Sequence, residues 1–469
     1  MLPSSIGVTL DRGDARTLPV QIADRIRAAI TNESLVAGAR LPSSRALSVD
    51  IGIARGVVES AYEQLIAEGW LEPRRGSGTY VRALPTGRAP AARGGERPNA
   101  RNTEHSTGGR RIRLGTGSPW VPASLSPAWK RAWRDAGSTT PPHAYPDPLG
   151  ESDLRGAVAD LLGRARGLHT SADSIVITTG SMHGFGLTLA ALAGTARLST
   201  PILAHENPGY SVAATTAARS GWSVFGVPVD ADGLQTHDLD SAPRHTAAVY
   251  VTPSHQYPTG GLLTIGRRRA LADFARGREV MIIEDDYDSE FRYDVAPLPT
   301  VAELARDRTV YLGTVAKTLG AGIRLGWLVA PPHIVDEIAV VRRDTGDYPS
   351  VPVQHAMTSL LRDGEWDRTV RAARRRYRER DRIVAAALAP FGALRGVGAG
   401  MHTTLLIDAD RAQHVSAAAA GRGVDVATLA ESTRGVSPTS GLLIGYGSVS
   451  DDELAYSLDV LTDALRSIS

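Results

Sequence analysis

Residues 311–326 read YLGTVAKTLGAGIRLG, and this stretch decides the fold of the larger part of the chain. An apolar run ends at Thr314, Lys317 stands three residues later, and Arg324 follows a glycine-rich turn. This order is typical of a buried strand with a turn at its carboxyl end. A lysine partly desolvated beside cationic groups has a lowered pKa and forms a Schiff base with an aldehyde. The stretch therefore predicts an aldehyde-binding lysine at a strand end.

Lysine is scarce in this chain. Of its 52 basic residues only Lys130 and Lys317 are lysine, and the others are arginine. The alternative role for Lys317 is a surface lysine whose aliphatic stem lies along the protein. Because one of two lysines falls inside this motif, we favour the aldehyde-binding role. Thr314 and Arg324 are then suited to bind a phosphate on the same ligand, Arg324 as a bidentate fork.

A second segment offers a seat for a phosphate. Residues 178–184 read TTGSMHG, follow an apolar run and open a helical pattern. Backbone N–H groups and the helix dipole attract anions at such a position. The segment therefore adds Gly180, Ser181 and Met182 to the candidate ligand-binding residues.

A third segment ends an apolar run in carboxylates. Residues 282–287 read IIEDDY, with Glu284, Asp285 and Asp286 in succession. A carboxylate opposite a pyridine nitrogen keeps that nitrogen protonated and makes the ring an electron sink. The alternative is that the three carboxylates bind a hard metal cation. We favour the pyridine partner, since the lysine motif explains the carboxylate cluster better than a metal does, and we expect no metal.

Short apolar runs alternate with helical patterns after residue 112. This alternation predicts an α/β domain with a mostly parallel sheet covered by helices on both faces. Beyond about residue 340 the pattern changes to arginine- and alanine-rich helices and two strands, which predicts a smaller α+β lobe. The predicted strands are Ser174–Thr178, Pro201–Ala204, Val224–Pro228, Ala247–Val251, Val280–Ile283, Val310–Leu312, Trp327–Ala330, Thr403–Ile407 and Leu442–Gly445.

Residues 83–112 separate this domain from an N-terminal module, residues 1–82. The intervening segment has few large apolar residues and six arginines against two acidic residues, so it is expected to be a flexible linker. In the module, isoleucines four residues apart predict a first helix. Residues 45–50 and 54–68 predict two more, and residues 70–81 a hairpin. Three helices and a wing in this order are typical of a winged helix-turn-helix, whose third helix enters the major groove of DNA.

Length and composition exclude several classes of protein. A chain of 469 residues exceeds what one core usually serves, so two or more domains are expected. The absence of cysteine excludes disulfides, thiol nucleophiles and Cys-ligated metals. No run of about 18 apolar residues and no signal peptide is present, so we expect a cytoplasmic protein without membrane contact.

These motifs together resemble the MocR/GabR subfamily of the GntR family of bacterial transcriptional regulators. The peptides PSHQYPTG at residues 253–260 and IIEDDYDSEF at residues 282–291 are typical of it. The resemblance implies a fold-type I aminotransferase-like domain over residues 113–469, with a small lobe over about 340–469. It also implies that the chain binds double-stranded operator DNA, and that its effector is a small-molecule amine or the cofactor itself. The implied oligomer is a homodimer, with a domain-swapped arrangement as one form.

The same resemblance assigns roles to individual residues. Lys317 forms the Schiff base with pyridoxal 5′-phosphate, Asp285 pairs with its ring nitrogen, and Tyr287 bonds its ring hydroxyl. The remaining cofactor contacts implied are Tyr210, which stacks on the ring, the phosphate ligands Gly180, Ser181, Met182, Thr314 and Arg324, and Tyr145, which reaches the neighbouring subunit's phosphate. The implied DNA contacts are Ser44, Arg45, Arg55, Gly56, Val57, Arg75 and Gly76. For a single arginine, a solvated surface role is the alternative.

Two departures from aminotransferases bear on activity. Tyr257 stands where such enzymes place a ring-contacting asparagine, and residues 441–446 lack their carboxylate-binding arginine. Efficient transamination of amino acids is therefore not expected. Tyr257 and Arg434 are the candidate effector contacts, with a surface role as the alternative for Arg434. The competing hypothesis is a true aminotransferase with a vestigial DNA-binding module.

Overall fold

The computed structural model describes residue 10 and residues 17–32, 34–68, 70–74, 77–82, 111–195, 200–293, 299–435 and 439–467. The chain divides into two compact units, Met1–His105 and Ser106–Ser469. Most of the predicted linker and two predicted DNA contacts, Arg75 and Gly76, lie outside the described residues. Within the described ranges, none of the helices has the length and apolar character of a membrane span.

The first unit consists of three helices followed by a hairpin. The two strands of the hairpin are antiparallel, with Leu71 opposite Val81. This is the predicted winged helix-turn-helix arrangement. Its elements are α1 Leu18–Thr31, α2 Ser44–Asp50, α3 Arg55–Ala67, β1 Leu71–Arg74 and β2 Gly78–Val81.

Apolar periodicity and capping explain these helices. Ile22 and Ile26 of α1 are fully buried, as is Val58 of α3, so the apolar stripes pack into one core. The side chain of Ser43 accepts a hydrogen bond from the backbone N–H of Ala46 and caps α2. Arg55 and Gly56 at the start of α3 are exposed, whereas Val58 holds the helix in the core.

The second unit is built on an eight-stranded sheet of order β4-β11-β10-β9-β8-β5-β6-β7. The four pairings from β10 to β6 are parallel, whereas β11 is antiparallel to both its neighbours and β7 to β6. The mostly parallel sheet that the sequence predicts is confirmed. The strands, with the short β3 that precedes them, are β3 Ile112–Arg113, β4 Ile175–Thr178, β5 Ile202–Asn207, β6 Ser223–Asp230, β7 Gly233–Leu234, β8 Thr246–Val251, β9 Met281–Asp285, β10 Thr309–Thr314 and β11 Gly326–Val329.

Helices cover both faces of this sheet. Ile175 and Ile177 pack with Leu154 on one face, whereas Val176 packs with Phe185 on the other. Alternate residues of a strand point to opposite faces, so near-continuous apolar strands require cover on both sides. The helices of this layer are α4 Pro127–Ser138, α5 Ser152–Arg166, α6 Ser181–Thr195, α7 Ser211–Arg219, α8 Ile265–Arg278, α9 Val301–Leu304, α10 Pro332–Thr345 and α11 Val351–Arg362.

The chain ends in a smaller α+β lobe, as predicted. Its sheet is antiparallel, of order β12-β13-β16-β15, while β14 pairs with β3 from the start of the unit. The elements are α12 Glu365–Leu388, β12 Ala393–Arg395, β13 His402–Leu406, α13 Ala409–Gly421, β14 Val424–Asp425, β15 Ala427–Thr428, β16 Gly441–Gly445 and α14 Asp451–Ser467.

The direction of the strands determines where polar groups collect. Strands β4, β9 and β10 run the same way, because β11 is antiparallel to both β4 and β10. Their last residues, Thr178, Asp285 and Thr314, therefore lie at one edge of the sheet. Ligands bind at this carboxyl edge in open α/β sheets.

Candidate functional site

A cavity of about 260 Å³ opens at the carboxyl edge of the large sheet. Thr116, Gly117, Tyr250, Thr252, Ala316 and Ala321 line it without having been singled out from the sequence. The cavity also brings together most of the predicted cofactor residues and Tyr257, a predicted effector contact, from five separate segments of the chain. Those that line it are Gly180, Ser181, Met182, Tyr210, Tyr257, Asp285, Tyr287, Thr314, Lys317 and Arg324.

Lys317 lies in the turn between β10 and β11. Its Nζ donates a 2.6 Å hydrogen bond to the carbonyl oxygen of Gly117. Burial lowers the pKa of Lys317, and the carboxylates of Asp288 and Asp285 oppose that shift. A lowered pKa increases the fraction of neutral amine, which is the form that attacks an aldehyde.

Asp285 ends β9 and offers a free oxygen to the cavity. The Tyr250 hydroxyl donates a 2.6 Å hydrogen bond to Oδ2 of Asp285. The other oxygen, Oδ1, is buried and has no hydrogen-bond partner among the described residues. Burial raises the pKa of this carboxyl to about 7, although the bond from Tyr250 acts in the opposite direction. An unpartnered carboxylate oxygen in such a place fits a cationic N–H donor on a bound ligand.

The opposite end of the cavity is suited to an anion. Gly180, with a φ of 123°, precedes α6, and a Cβ at this position would lie 3.6 Å from Nη1 of Arg324. The guanidinium of Arg324 therefore sits against the start of the helix. Thr314, whose Oγ1 accepts a hydrogen bond of 3.1 Å from the N–H of Ala316, lines the same cavity. A helix start, an arginine and hydroxyls form a fitting cradle for a phosphate.

Three tyrosines form the aromatic wall between these ends. The Tyr210 and Tyr257 rings meet edge to face at 5.3 Å, and the Tyr257 and Tyr287 rings at 6.1 Å. The Tyr257 hydroxyl is 2.8 Å from Oγ1 of Thr116, which fixes its ring in the wall. The wall suits a flat aromatic ligand.

The carboxylates beside Asp285 are occupied by other partners. Glu284 accepts backbone N–H bonds from Val301 and Ala302 at 3.0 and 2.8 Å. Asp286 forms a buried ion pair of 2.7 Å with Arg166. Because each side chain is committed to its own partner, the geometry favours the pyridine partner over the metal alternative at this triplet.

Two predicted residues lie apart from the cavity lining. Tyr145 is 84% exposed and stacks on Tyr348 at 5.3 Å. Arg434 is exposed, and its backbone N–H and carbonyl pair with the amide of Asn207 at the end of β5. The structure therefore fixes the backbone of Arg434 near the wall without placing its side chain among the lining residues.

The predicted DNA contacts gather at the start of α2 and α3. Nε of Arg55 forms an exposed ion pair of 2.8 Å with Glu59, one helical turn later. The Ser44 hydroxyl donates to the same carboxylate at 3.2 Å. Arg45 and Gly56 are exposed, and Val57 is half-buried against the core of the unit. The face thus carries two exposed arginines on a packed helical frame.

Two protein families match this chain. Residues 18–81 match the family described as bacterial regulatory proteins, gntR family. Residues 110–458 match aminotransferase class I and II. The first match falls on the helices and hairpin of the first unit, and the second covers the large sheet with its cavity and most of the small lobe.

Full-length relatives combine the same two parts. The chain is 34% identical to the HTH-type pyridoxine biosynthesis transcriptional regulator PdxR of Corynebacterium glutamicum, over 98% of this chain and 99% of that protein. It is 30% identical to the probable rhizopine catabolism regulatory protein MocR of Rhizobium meliloti, over 98% and 96%.

A solved structure shows the same fold in the larger unit. LysN, an α-aminoadipate aminotransferase of Thermus thermophilus complexed with N-(5′-phosphopyridoxyl)-L-leucine, aligns with a TM-score of 0.66 and 23% identity. The alignment covers 76% of this chain and 92% of that structure. Fold, family matches and relatives agree that the chain belongs to the MocR-type subfamily of GntR-family transcriptional regulators, in which a winged helix-turn-helix is joined to a fold-type I aminotransferase-like domain.

Proposed function

We propose that this regulator binds operator DNA through its first unit and holds pyridoxal 5′-phosphate on Lys317 as the sensing group. The observation that carries the proposal is the unpartnered Oδ1 of Asp285 in a cavity that also contains Lys317 and Arg324. These three groups complement the ring nitrogen, the aldehyde and the phosphate of that cofactor. We place the protein in the cytoplasm, because a bacterial regulator meets its operator DNA there.

Each residue predicted to contact the cofactor has a role in this proposal. When bound, pyridoxal phosphate supplies an aldehyde that reacts with amines and a ring that withdraws electrons. Lys317 provides the amine, Asp285 holds the ring N–H, and Tyr287 bonds the ring hydroxyl. Tyr210 packs on the ring. The phosphate is held by Gly180, Ser181, Met182, Thr314 and Arg324, with Tyr145 contributed to the second subunit of a homodimer.

For the effector, we propose the cofactor itself as the first candidate. Lys317 and Arg324 are the cationic side chains among the described residues that line the cavity, and both are assigned to the cofactor. A carboxylate-bearing effector would lack a cation there unless Arg434 turned inward. The similarity to PdxR supports this choice. An amine or amino acid effector is the second candidate, supported by the similarity to MocR.

The signal has to reach the DNA through two states of the dimer. A ligand shifts such an equilibrium only by its difference in affinity for the two states. A coupling free energy of about 1–3 kcal/mol would change operator affinity about 5- to 150-fold. We propose that occupancy at Lys317 changes the spacing of the two DNA-binding units, whether or not those units are exchanged between subunits.

The test is fluorescence anisotropy on a labelled duplex taken from upstream of the protein's own gene. Cofactor-free protein is titrated in the absence and presence of pyridoxal phosphate, and then with amines added. A change in operator affinity with the cofactor alone supports the first candidate, and a change only after amine addition supports the second. Lys317→Ala should abolish either response, while Lys130→Ala should retain it. An unchanged response in Lys317→Ala would contradict the proposal.

A further inference from the structure

A buried histidine cluster, His255, Asp288 and His402, lies behind the tyrosine wall of the cavity. The side chains of His255 and Asp288 are each 1% exposed, and Nδ1 of His255 is 2.8 Å from Oδ2 of Asp288. The rings of His255 and His402 are 5.0 Å apart, and Nε2 of His402 faces the carbonyl oxygen of Pro258 at 3.1 Å. None of these three side chains lines the cavity.

The histidine cluster touches the cofactor site through one hydroxyl. The Tyr287 hydroxyl lies 3.2 Å from Nδ1 of His255 and donates a 3.1 Å hydrogen bond to the His255 carbonyl oxygen. His255 follows β8 and Asp288 follows β9, two adjacent parallel strands. The two strand ends therefore bring the imidazole and its carboxylate to the back of Tyr287.

Close backbone packing fixes the His255 ring. A Cβ at Gly400 would lie 2.7 Å from Nδ1 of His255 and 2.9 Å from Oδ2 of Asp288. A Cβ at Gly260 would lie 3.1 Å from Nε2 of the same ring. Glycine at both positions lets the backbone approach the imidazole, so the ring has little freedom to turn.

The same three side chains could also be considered as metal ligands, since one ligand atom from each lies within 4.8 Å of the others. Glycine backbone packs against the His255 ring, and its Nδ1 is already engaged by a carboxylate and a hydroxyl. This contact pattern is that of a side chain which orients a neighbour. The titratable groups described around His255 are Asp288, Tyr287, His402 and Asp381.

We propose that His255, held by Asp288, is a positioning residue that fixes the Tyr287 hydroxyl toward the ring hydroxyl of the bound cofactor. The proposal rests on the proposed function for its ligand, and it adds a residue that does not itself touch that ligand. The Tyr287 hydroxyl carries one proton, so when it donates to the ring oxygen it gives up its bond to the His255 carbonyl oxygen and accepts from the N–H of Nδ1 instead. Donation to the ring oxygen stabilises negative charge there. The hydrogen bond from Tyr287 therefore favours the bound state in which Nζ of Lys317, linked to the cofactor, has lost its proton.

The experiment measures the pH midpoint of the absorbance of the bound cofactor in the parent and in four variants. Tyr287→Phe should raise the midpoint by about one pH unit, the size expected for loss of one charge-assisted hydrogen bond. His255→Gln should shift it in the same direction. His255→Asn should restore the parent midpoint, because its Nδ2 can take the place of Nδ1. The double variant Tyr287→Phe/His255→Gln should shift no further than Tyr287→Phe alone.

Either of two results would overturn the proposal: an unchanged midpoint in His255→Gln, or a full additional shift in the double variant. A second measurement uses cofactor-free protein, so it does not depend on the proposed function. Unfolding of the parent, Tyr287→Phe, His255→Gln and the double variant in denaturant should show a combined loss of stability smaller than the sum of the two single losses. Strict additivity there would also contradict the link between His255 and Tyr287, whereas failure to bind cofactor at all would count only against the proposed function.

Discussion

Nζ of Lys317 and the carbonyl oxygen of Gly117 are joined by a hydrogen bond of 2.6 Å across a separation of 200 residues. The bond ties the turn after β10 to the segment that follows β3 at the start of the second unit. A Cβ at Gly117 would lie 3.2 Å from the same nitrogen, so a larger residue there would crowd the amine. A Schiff base on Lys317 would leave its nitrogen at most one of the three N–H donors of the free ammonium, so we expect this contact to weaken when the lysine is occupied.

Asp285 predicts a pH-dependent stability in the cofactor-free protein. Burial raises its pKa from 3.8 to about 7, so its contribution to stability is fully present below pH 3.8 and is lost as the pH rises through about 7. Asparagine cannot ionise. We therefore expect Asp285→Asn to gain stability relative to the parent as the pH rises from about 4 to 7, by up to about 1.4 kcal/mol per pH unit. Denaturant unfolding at several pH values measures this.

Asp336→Asn, on an exposed position of α10, is the matched control and should show no such trend. The charge of Asp285 also raises the pKa of the buried Glu206 carboxyl, so the difference between parent and variant reports Asp285 together with its effect on Glu206. A flat difference between parent and Asp285→Asn across the pH range would show that this carboxyl is not buried as described.

Arg324 should hold the phosphate as a planar fork. Arg324→Lys keeps the charge but loses bidentate bonding, so we expect cofactor affinity to fall about tenfold. An absorbance titration of cofactor-free protein gives the dissociation constant. Arg343→Lys, on an exposed position of α10, should bind as the parent does. Equal affinity in both variants would remove Arg324 from the site.

Arg55 should contribute to operator binding. Arg55→Ala is expected to lose about 10- to 100-fold in affinity for the operator duplex, as for an arginine that reads a base, and to keep its cofactor absorbance. The exposed ion pair with Glu59 contributes only about 0.3–0.5 kcal/mol to the helix, so folding should persist.

Glu59→Gln removes the other partner of the Arg55–Glu59 ion pair and is compared with Arg55→Ala. It releases Arg55 and removes an anion from the DNA-binding face, so operator affinity should be retained or increased. Anisotropy on specific and scrambled duplexes tests both variants together. If Arg55→Ala bound the operator as tightly as the parent, Arg55 would not be a DNA contact.

Catalytic turnover should be absent or slow. Residues 441–446 contain no arginine, and Lys317 and Arg324 are the cationic groups among the described lining residues. A substrate α-carboxylate therefore lacks an obvious partner. We expect amino donors to react at most stoichiometrically when product is measured against protein concentration. Turnover at about 1 s⁻¹ or faster with an amino acid and a keto acid would favour the aminotransferase hypothesis.

One physical rule predicts the large sheet and part of the cavity lining from the sequence, whereas Tyr210 and Tyr287 follow only from the family resemblance. Thr314 and Asp285 each follow an apolar run, and the carboxyl ends of strands that run the same way meet at one edge. Residues found by that rule need no knowledge of long-range contacts. The apolar runs also predict most strands of the large sheet. Several observed strands extend further, as β5 does to Asn207, whereas β4 begins at Ile175, one residue later than predicted.

Other parts of the site left no comparable signal. Gly117 contributes a backbone carbonyl, which every residue carries, so composition cannot mark it. Tyr250 looks like one more apolar strand residue until the structure shows its hydroxyl on Asp285. The pairing of His255 with Asp288 depends on the order of β8 and β9 in the sheet, which periodicity along the chain does not reveal.

The most direct test of the account is to locate the cofactor on the chain. The purified protein is mixed with pyridoxal phosphate, reduced with borohydride, digested and analysed by mass spectrometry. Because Lys130 and Lys317 are the two lysines of the sequence, each serves as the internal control for the other. We expect a phosphopyridoxyl group on Lys317 at near one per chain and little on Lys130. Equal labelling of both lysines, or none on Lys317, would contradict it.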